Sequence, residues 1–293
     1  MNYQALIDEN SWSNYPIGLT GCRIGDSFFD SCDYDITIFD DKIQNDEIIH
    51  FENDFVKIHH GSLSESKSQK LLQYERMQII QDESWDLRMF LSKIKKKHLT
   101  LYKDHAKNSL IESLFCCEKT KSGIKESNVF ASCWQKCASY YLAEAILAIN
   151  NCTSGPTHML DALRKFEKNL INEQISIVNE TVGIERATQS LLERMVKSTI
   201  GFSDLVEKNK HSILIEKTYR HFIENSMLAD CYFYLGFINK QNFVKYQNSI
   251  EKQPDLIHIL KVSFDVEVDS NLLERQANKV QNSANDILNS ISR

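Results

Sequence analysis

The chain has 293 residues, of which 42% are apolar and 25% are charged, a balance typical of a folded globular protein and not of a disordered one. Its net charge of −6 and pI of about 5.9 give no overall positive field, which disfavours a protein that coats nucleic acid, and no DNA partner is expected. No segment approaches the roughly 18 uninterrupted apolar residues of a membrane span, and the first ten residues lack the features of a signal peptide. We therefore expect a cytoplasmic protein with no membrane partner.

The first 61 residues hold the clear β patterns of the chain. Residues 17–22 read as an apolar strand end that runs into a glycine. Residues 34–39 (YDITIF) form a short run rich in β-branched and aromatic side chains. Two more strands are predicted at residues 47–51 and 55–60, with a hairpin turn at residues 52–54 between them.

From about Ser66 onward, apolar residues recur with a period near 3.6, which is typical of helices. Residues 129–150 are apolar on nearly all sides and predict a central buried helix. Gly155 and Pro156 signal the start of another helix, on one face of which we expect Met159, Leu160, Leu163, Phe166 and Leu170. The prediction is an α+β protein, with a small mixed-sheet domain at residues 1–65 and an all-α helical domain at residues 66–293.

Eight cysteines occur without a CxxC pair, and the nine histidines are not placed beside them at zinc-ligand spacing. A structural zinc site is therefore not favoured. Most cysteines are expected to be small apolar core residues, and Cys22 to be a small turn residue.

Two features of the N-terminal region predict a site for a metal ion and a triphosphate. Asp33 and Asp35 alternate along a predicted strand, so both carboxylates are expected on one face, where they can share Mg²⁺. Gly21 and Cys22 form a turn at which the backbone amides can approach a phosphate closely.

The stretch TGCRIGDSFFDSCDYD, residues 20–35, resembles the active-site signature of the nucleotidyltransferase superfamily related to DNA polymerase beta. That family has Gly-Ser at a strand–helix turn, followed by Asp-x-Asp on the next strand. Gly21-Cys22 and Asp33-Tyr34-Asp35 stand in those places, and the resemblance covers roughly residues 15–60. The further matches are Arg23, Gly25, Asp26, Asp30 and Ser31.

The resemblance implies that Asp33 and Asp35 are the catalytic metal ligands, and that Gly21 and Cys22 contact the β- and γ-phosphates through their amides, with Arg23 as a further phosphate contact. It implies Mg²⁺ as cofactor and an NTP such as ATP as substrate. The expected reaction moves a nucleoside monophosphate to a hydroxyl acceptor and releases pyrophosphate. The acceptor is left open among a small molecule, a protein side chain and an RNA end.

Two positions depart from the family pattern. Cys22 replaces a serine, which exchanges a good hydroxyl donor for a weak thiol donor and leaves the amide in place. Lys57 stands where the family has a third carboxylate on a neighbouring strand. Asp54 or Glu52 is a candidate substitute, and His59 is a candidate base on the same strand face as Lys57.

Two other functions stay open at this stage. The missing acid suggests a catalytically impaired protein that retains the nucleotidyltransferase fold and has a binding or regulatory role. If the N-terminal match is fortuitous, the chain is a helical interaction protein.

Overall fold

The computed structural model describes residues 1–25, 28–42, 46–206 and 211–292. A mixed five-stranded sheet near the N-terminus is followed by a long helical region, so the fold is α+β, as predicted. The described chain divides into two compact units. The first holds Met1–Asp104 with residues 211–214, and the second holds residues 105–206 and 215–292.

The sheet of the first unit has the strand order β3-β4-β2-β1-β5. In chain order the strands are β1 (Ile17–Thr20), β2 (Tyr34–Ile38), β3 (Glu47–Phe51), β4 (Asp54–His60) and β5 (Gln78–Gln81). β2 and β4 are parallel, and the other neighbouring strands are antiparallel. Because β5 pairs with β1, the unit that contains the sheet extends beyond residue 65.

Eleven helices are present in the described part of the chain, besides several single 3₁₀ turns. They are α1 (Tyr3–Glu9), α2 (Ser68–Tyr74), α3 (Asp86–Lys125), α4 (Ala131–Ile149), α5 (Met159–Arg164), α6 (Ile175–Val182), α7 (Gln189–Val206), α8 (His211–Glu224), α9 (Leu228–Ile250), α10 (Ile257–Ser263) and α11 (Ser270–Ser292). α9 is kinked at Tyr246. Across the described residues, no helix combines the length and the apolar character needed to cross a membrane.

The alternation of side chains along β2 and β4 separates the two faces of the sheet. One face packs against α1 in an apolar core. The core contains Leu6, Ile7, Ile17, Leu19, Ile36, Ile38, Phe51, Val56 and Ile58. The intervening residues of β2 and β4 therefore point to the opposite face, and these include Asp35, Lys57 and His59.

In the second unit, the predicted central helix is confirmed as α4, which is buried on almost every side. The predicted helix after Pro156 is too long. Met159, Leu160 and Leu163 are buried in α5, but α5 ends at Arg164 and Leu170 is 83% exposed. The Asn169 side chain accepts hydrogen bonds from the amides of residues 171 and 172. These bonds start a new turn, and they replace the backbone hydrogen bonds that a longer α5 would form there.

Candidate functional site

The chain turns sharply where β1 ends. Gly21 follows β1 with a φ of 78° and a ψ of −162°, a region that only glycine adopts readily. Thr20 pairs with Asp35 across β1 and β2, and its hydroxyl donates a hydrogen bond of 3.3 Å to the Asp35 carbonyl. A Cβ atom at position 21 would overlap Oδ2 of Asp35. Both the backbone conformation and this close approach therefore require glycine.

Asp33 lies immediately before β2, and Asp35 is its second residue. Both residues are half-buried, and the Asp35 side chain is 27% exposed, so solvent reaches it. The structure thus places four predicted site residues near one another, Gly21 and Cys22 at the turn and the two aspartates at the start of β2.

Cys22 begins a single 3₁₀ turn, Cys22–Ile24, and its thiol is hydrogen-bonded to the Cys32 side chain. This hydrogen bond is the largest cause of a strongly raised pKa for the Cys22 thiol. Burial and the negative charges of Asp35 and Asp33 act in the same direction. The thiol form of Cys22 therefore predominates at neutral pH, and its reactive thiolate form is scarce.

Arg23 holds the loop that leads into β2. Its Nε and Nη2 atoms donate hydrogen bonds of 3.0 Å and 2.8 Å to the Cys32 carbonyl, and Nη2 also lies 3.3 Å from the Asp30 carbonyl. The guanidinium group packs over the rings of Phe28 and Tyr34, at 4.5 Å and 4.8 Å from their centroids. The expected phosphate contact of Arg23 stays a prediction, and Asp26 lies outside the described residues.

Lys57 stands beside Asp35, because the two residues are register partners on the parallel strands β2 and β4. Its ammonium group pairs with Asp46, at 3.3 Å from Oδ2. His59, two residues further on the same face, lies between two carboxylates. Its Nδ1 is 2.9 Å from Oδ1 of Asp46, and its Nε2 is 3.2 Å from Oδ1 of Asp35.

This arrangement favours the protonated form of His59. An ionised carboxylate oxygen only accepts a hydrogen bond, so a carboxylate at each ring nitrogen favours the protonated ring, in which both nitrogens donate. Burial alone would lower the pKa of His59, but the hydrogen bonds with Asp35 and Asp46 outweigh it and the pKa is raised. Burial likewise favours a high pKa for Asp46, yet His59 and Lys57 hold it well below its usual range. Two cations thus balance two carboxylates in this cluster.

The two candidate substitutes for the third acid lie elsewhere. Asp54 shares the strand face of Val56 and Ile58, opposite to that of Asp35, and Glu52 is exposed in the hairpin turn. The carboxylate that does reach the cluster is Asp46, which the sequence analysis missed.

A sequence signal for Asp46 existed in the hairpin register. Phe51 pairs with Asp54 across the turn, and counting back along β3 brings Asp46 opposite His59.

A solved structure of a nucleotidyltransferase-like protein from Exiguobacterium sibiricum 255-15 is similar to this chain. The similarity covers 76% of this chain and 90% of that chain, with 11% sequence identity and a TM-score of 0.31. No protein-family model matches the chain, and no curated protein matches it. The functional conclusion below therefore depends on the residues of the site.

Proposed function

We propose that the first unit is a Mg²⁺-dependent nucleotidyltransferase site, which moves a nucleoside monophosphate from an NTP to a hydroxyl acceptor and releases pyrophosphate. The observation that carries this proposal is the contact between the Gly21 turn and the Asp35 carboxylate. This contact supports the proposal, because backbone amides can bind phosphate and a neighbouring carboxylate can bind a cation, with Asp33 two residues from Asp35 along the chain.

The residues present fit a hard divalent cation. Asp33 and Asp35 supply carboxylate oxygens, the ligand type that Mg²⁺ prefers, and the Asp35 side chain is partly open to solvent. When bound, Mg²⁺ would neutralise triphosphate charge and orient the phosphates. One oxygen of Asp35 also accepts a hydrogen bond from His59, so this ring orients the carboxylate.

The other residues have distinct tasks in the proposed reaction. The amides of Gly21 and Cys22 bind phosphate oxygens, and Arg23 keeps the loop before Asp33 in place through its bonds to carbonyl oxygens. The raised pKa of His59 favours the protonated ring, which donates hydrogen bonds to Asp35 and Asp46. With Lys57 it supplies positive charge beside Asp35, where the family pattern has a third acid.

The experiment is calorimetric titration of ATP, GTP, CTP and UTP into the purified chain, with Mg²⁺ or with EDTA. We expect binding of at least one nucleotide to weaken at least about tenfold without Mg²⁺ and in D33N and D35N. Asp54→Asn is the matched control, because it removes a nearby carboxylate from the opposite face of the sheet. Circular dichroism verifies that each variant is folded.

A coupled assay for pyrophosphate release with candidate acceptors then tests turnover. Release that requires Asp33 and Asp35 supports the proposed transfer. Mg²⁺-dependent binding without release from any acceptor would favour the impaired binding protein. Absence of nucleotide binding by the folded wild type would overturn the proposal.

A further inference from the structure

Two cysteines flank the segment that joins the glycine turn to the carboxylates. Cys22 directly follows Gly21, and Cys32 directly precedes Asp33. Their sulfur atoms lie within 4.8 Å of each other and share a hydrogen bond, and no disulfide joins them. Cys22 opens a single 3₁₀ turn and Cys32 lies outside any helix or strand, so neither is held by a ladder of backbone hydrogen bonds.

Arg23 already brings the two cysteine segments together. This neighbour of Cys22 donates two hydrogen bonds to the carbonyl of Cys32, and its guanidinium group packs over the rings of Phe28 and Tyr34. Closing a loop by a disulfide normally costs chain entropy, but here the loop ends are adjacent in the reduced protein. A disulfide requires sulfur atoms about 2 Å apart, so the pair needs a further approach by side-chain rotation and a small shift of one turn.

We propose that Cys22 and Cys32 are a reversible thiol–disulfide pair, oxidised by a low-molecular-weight disulfide such as glutathione disulfide. One cysteine thiolate attacks the reagent and releases the first glutathione thiolate. The other cysteine attacks the resulting mixed disulfide, forms the Cys22–Cys32 bond and releases the second glutathione thiolate. Two protein thiols lose two electrons and two protons, and the reagent leaves as two molecules of glutathione.

The alternative chemistry for two neighbouring thiols is a thiophilic metal such as Zn²⁺. The test below separates the two, because only a disulfide joins the two cysteine peptides covalently. The bond would fix the distance between the residue after Gly21 and the residue before Asp33, and so make the geometry of this segment depend on the thiol redox state.

The position of Arg23 allows a direct test of the bond. Trypsin cleaves after Arg23 and Lys42, so it separates Cys22 in residues 1–23 from Cys32 in residues 24–42. The folded protein is equilibrated with glutathione disulfide over hours, because the raised pKa of Cys22 slows thiolate attack. Remaining thiols are then alkylated under denaturing conditions, and the digest is analysed by mass spectrometry without and with reductant.

We expect the two peptides to appear as one linked species, which reduction separates, while the count of free thiols falls from eight to six. C22S and C32S should each abolish the linked species, and Cys152→Ser, another half-buried cysteine, should leave it unchanged. Peptides that remain separate, that carry only glutathione, or that link to other cysteines would overturn the proposal. The readout is a covalent bond, so its outcome does not depend on whether the site binds nucleotide.

Discussion

Asp46 directly precedes β3, and its Oδ1 atom is 2.9 Å from Nδ1 of His59 on β4. Asp35 holds the other ring nitrogen at 3.2 Å, and Lys57 contacts Asp46 from the same strand as His59. Because each neighbour carries a charge, removal of any one of them should move the pKa of His59 in a direction that the structure determines.

Asp46→Asn should lower the pKa of His59. The asparagine keeps a polar side chain but removes the negative charge that stabilises the imidazolium. The pKa is measured by NMR from the chemical shifts of the ring as a function of pH. Asp54→Asn, on the opposite face, should leave the value unchanged, and an equal pKa in Asp46→Asn and wild type would contradict the assigned contact.

Lys57→Met should have the opposite effect and raise the pKa of His59. The positive charge of Lys57 disfavours a second cation nearby, so its removal makes protonation of the ring easier. The same NMR titration measures this change. Lys42→Met is the control, because Lys42 pairs with Asp40 instead. A pKa that falls in Lys57→Met would show that Lys57 acts mainly by positioning Asp46.

Gly21→Ala should destabilise the first unit by roughly 1–3 kcal/mol, because alanine is strained at this φ and ψ and its methyl group would meet the Asp35 carboxylate. Urea unfolding measures the loss. Gly25→Ala is a matched control four residues away, where φ is −96° and the nearest atom to an added Cβ is 4.0 Å distant. Similar stabilities for the two variants would mean that the turn does not need glycine.

Arg23→Lys should lower stability by about 1–3 kcal/mol, since a lysine keeps the charge but loses the planar guanidinium group that binds the Cys32 carbonyl and packs over two aromatic rings. Thermal unfolding measures the change. Arg88→Lys, which alters an exposed arginine stacked on Trp85, should change stability much less. If Arg23→Lys weakens nucleotide binding without any loss of stability, phosphate contact is its main role.

In the second unit, Lys136 is buried and donates a hydrogen bond of 2.6 Å to the Val182 carbonyl. Burial is the main cause that lowers its pKa to about 7. Below pH 7 the lysine is charged in both the folded and unfolded states, so the folded state carries the full free-energy cost of a buried charge. As pH rises from 7 towards 10.5, the folded state loses this proton first and gains stability.

The difference in unfolding free energy between wild type and Lys136→Met should therefore shift in favour of wild type by on the order of 3 kcal/mol from pH 6.5 to pH 9.5. Urea unfolding at a series of pH values measures this shift. Lys165→Met, which removes an exposed ion pair with Asp161, should show almost none. A difference that does not vary with pH would mean that Lys136 stays charged in the folded protein.

The parts of the fold with a strong hydrophobic period were predictable from sequence. β2, β3, β4 and the buried helix α4 have clear patterns, and each lies close to its predicted position. β5 was missed because Gln78–Gln81 has only two apolar residues, and its strand conformation depends on pairing with β1. α1 is also a short element. Its residues Leu6 and Ile7 are buried because they pack against one face of the sheet.

In the candidate site, too, the sequence predicts some features and not others. The motif spacing was enough to predict that Gly21, Cys22, Asp33 and Asp35 lie together, because they are near in sequence and joined by two paired strands. The partners of Arg23 are main-chain carbonyls, which no pattern of side chains encodes. Their identity follows only from the path of the loop.

The turn of Glu52 and Asn53 has a consequence for the length changes that this protein can tolerate. Phe51 and Asp54 pair on either side of this turn. The register of every other pair in the hairpin therefore depends on a turn of two residues. One inserted residue would exchange the faces of β3 relative to β4, and two would move Asp46 a full pair away from His59. Insertions and deletions should therefore be selected against at this exposed tip, although a surface loop is usually where a domain accepts them.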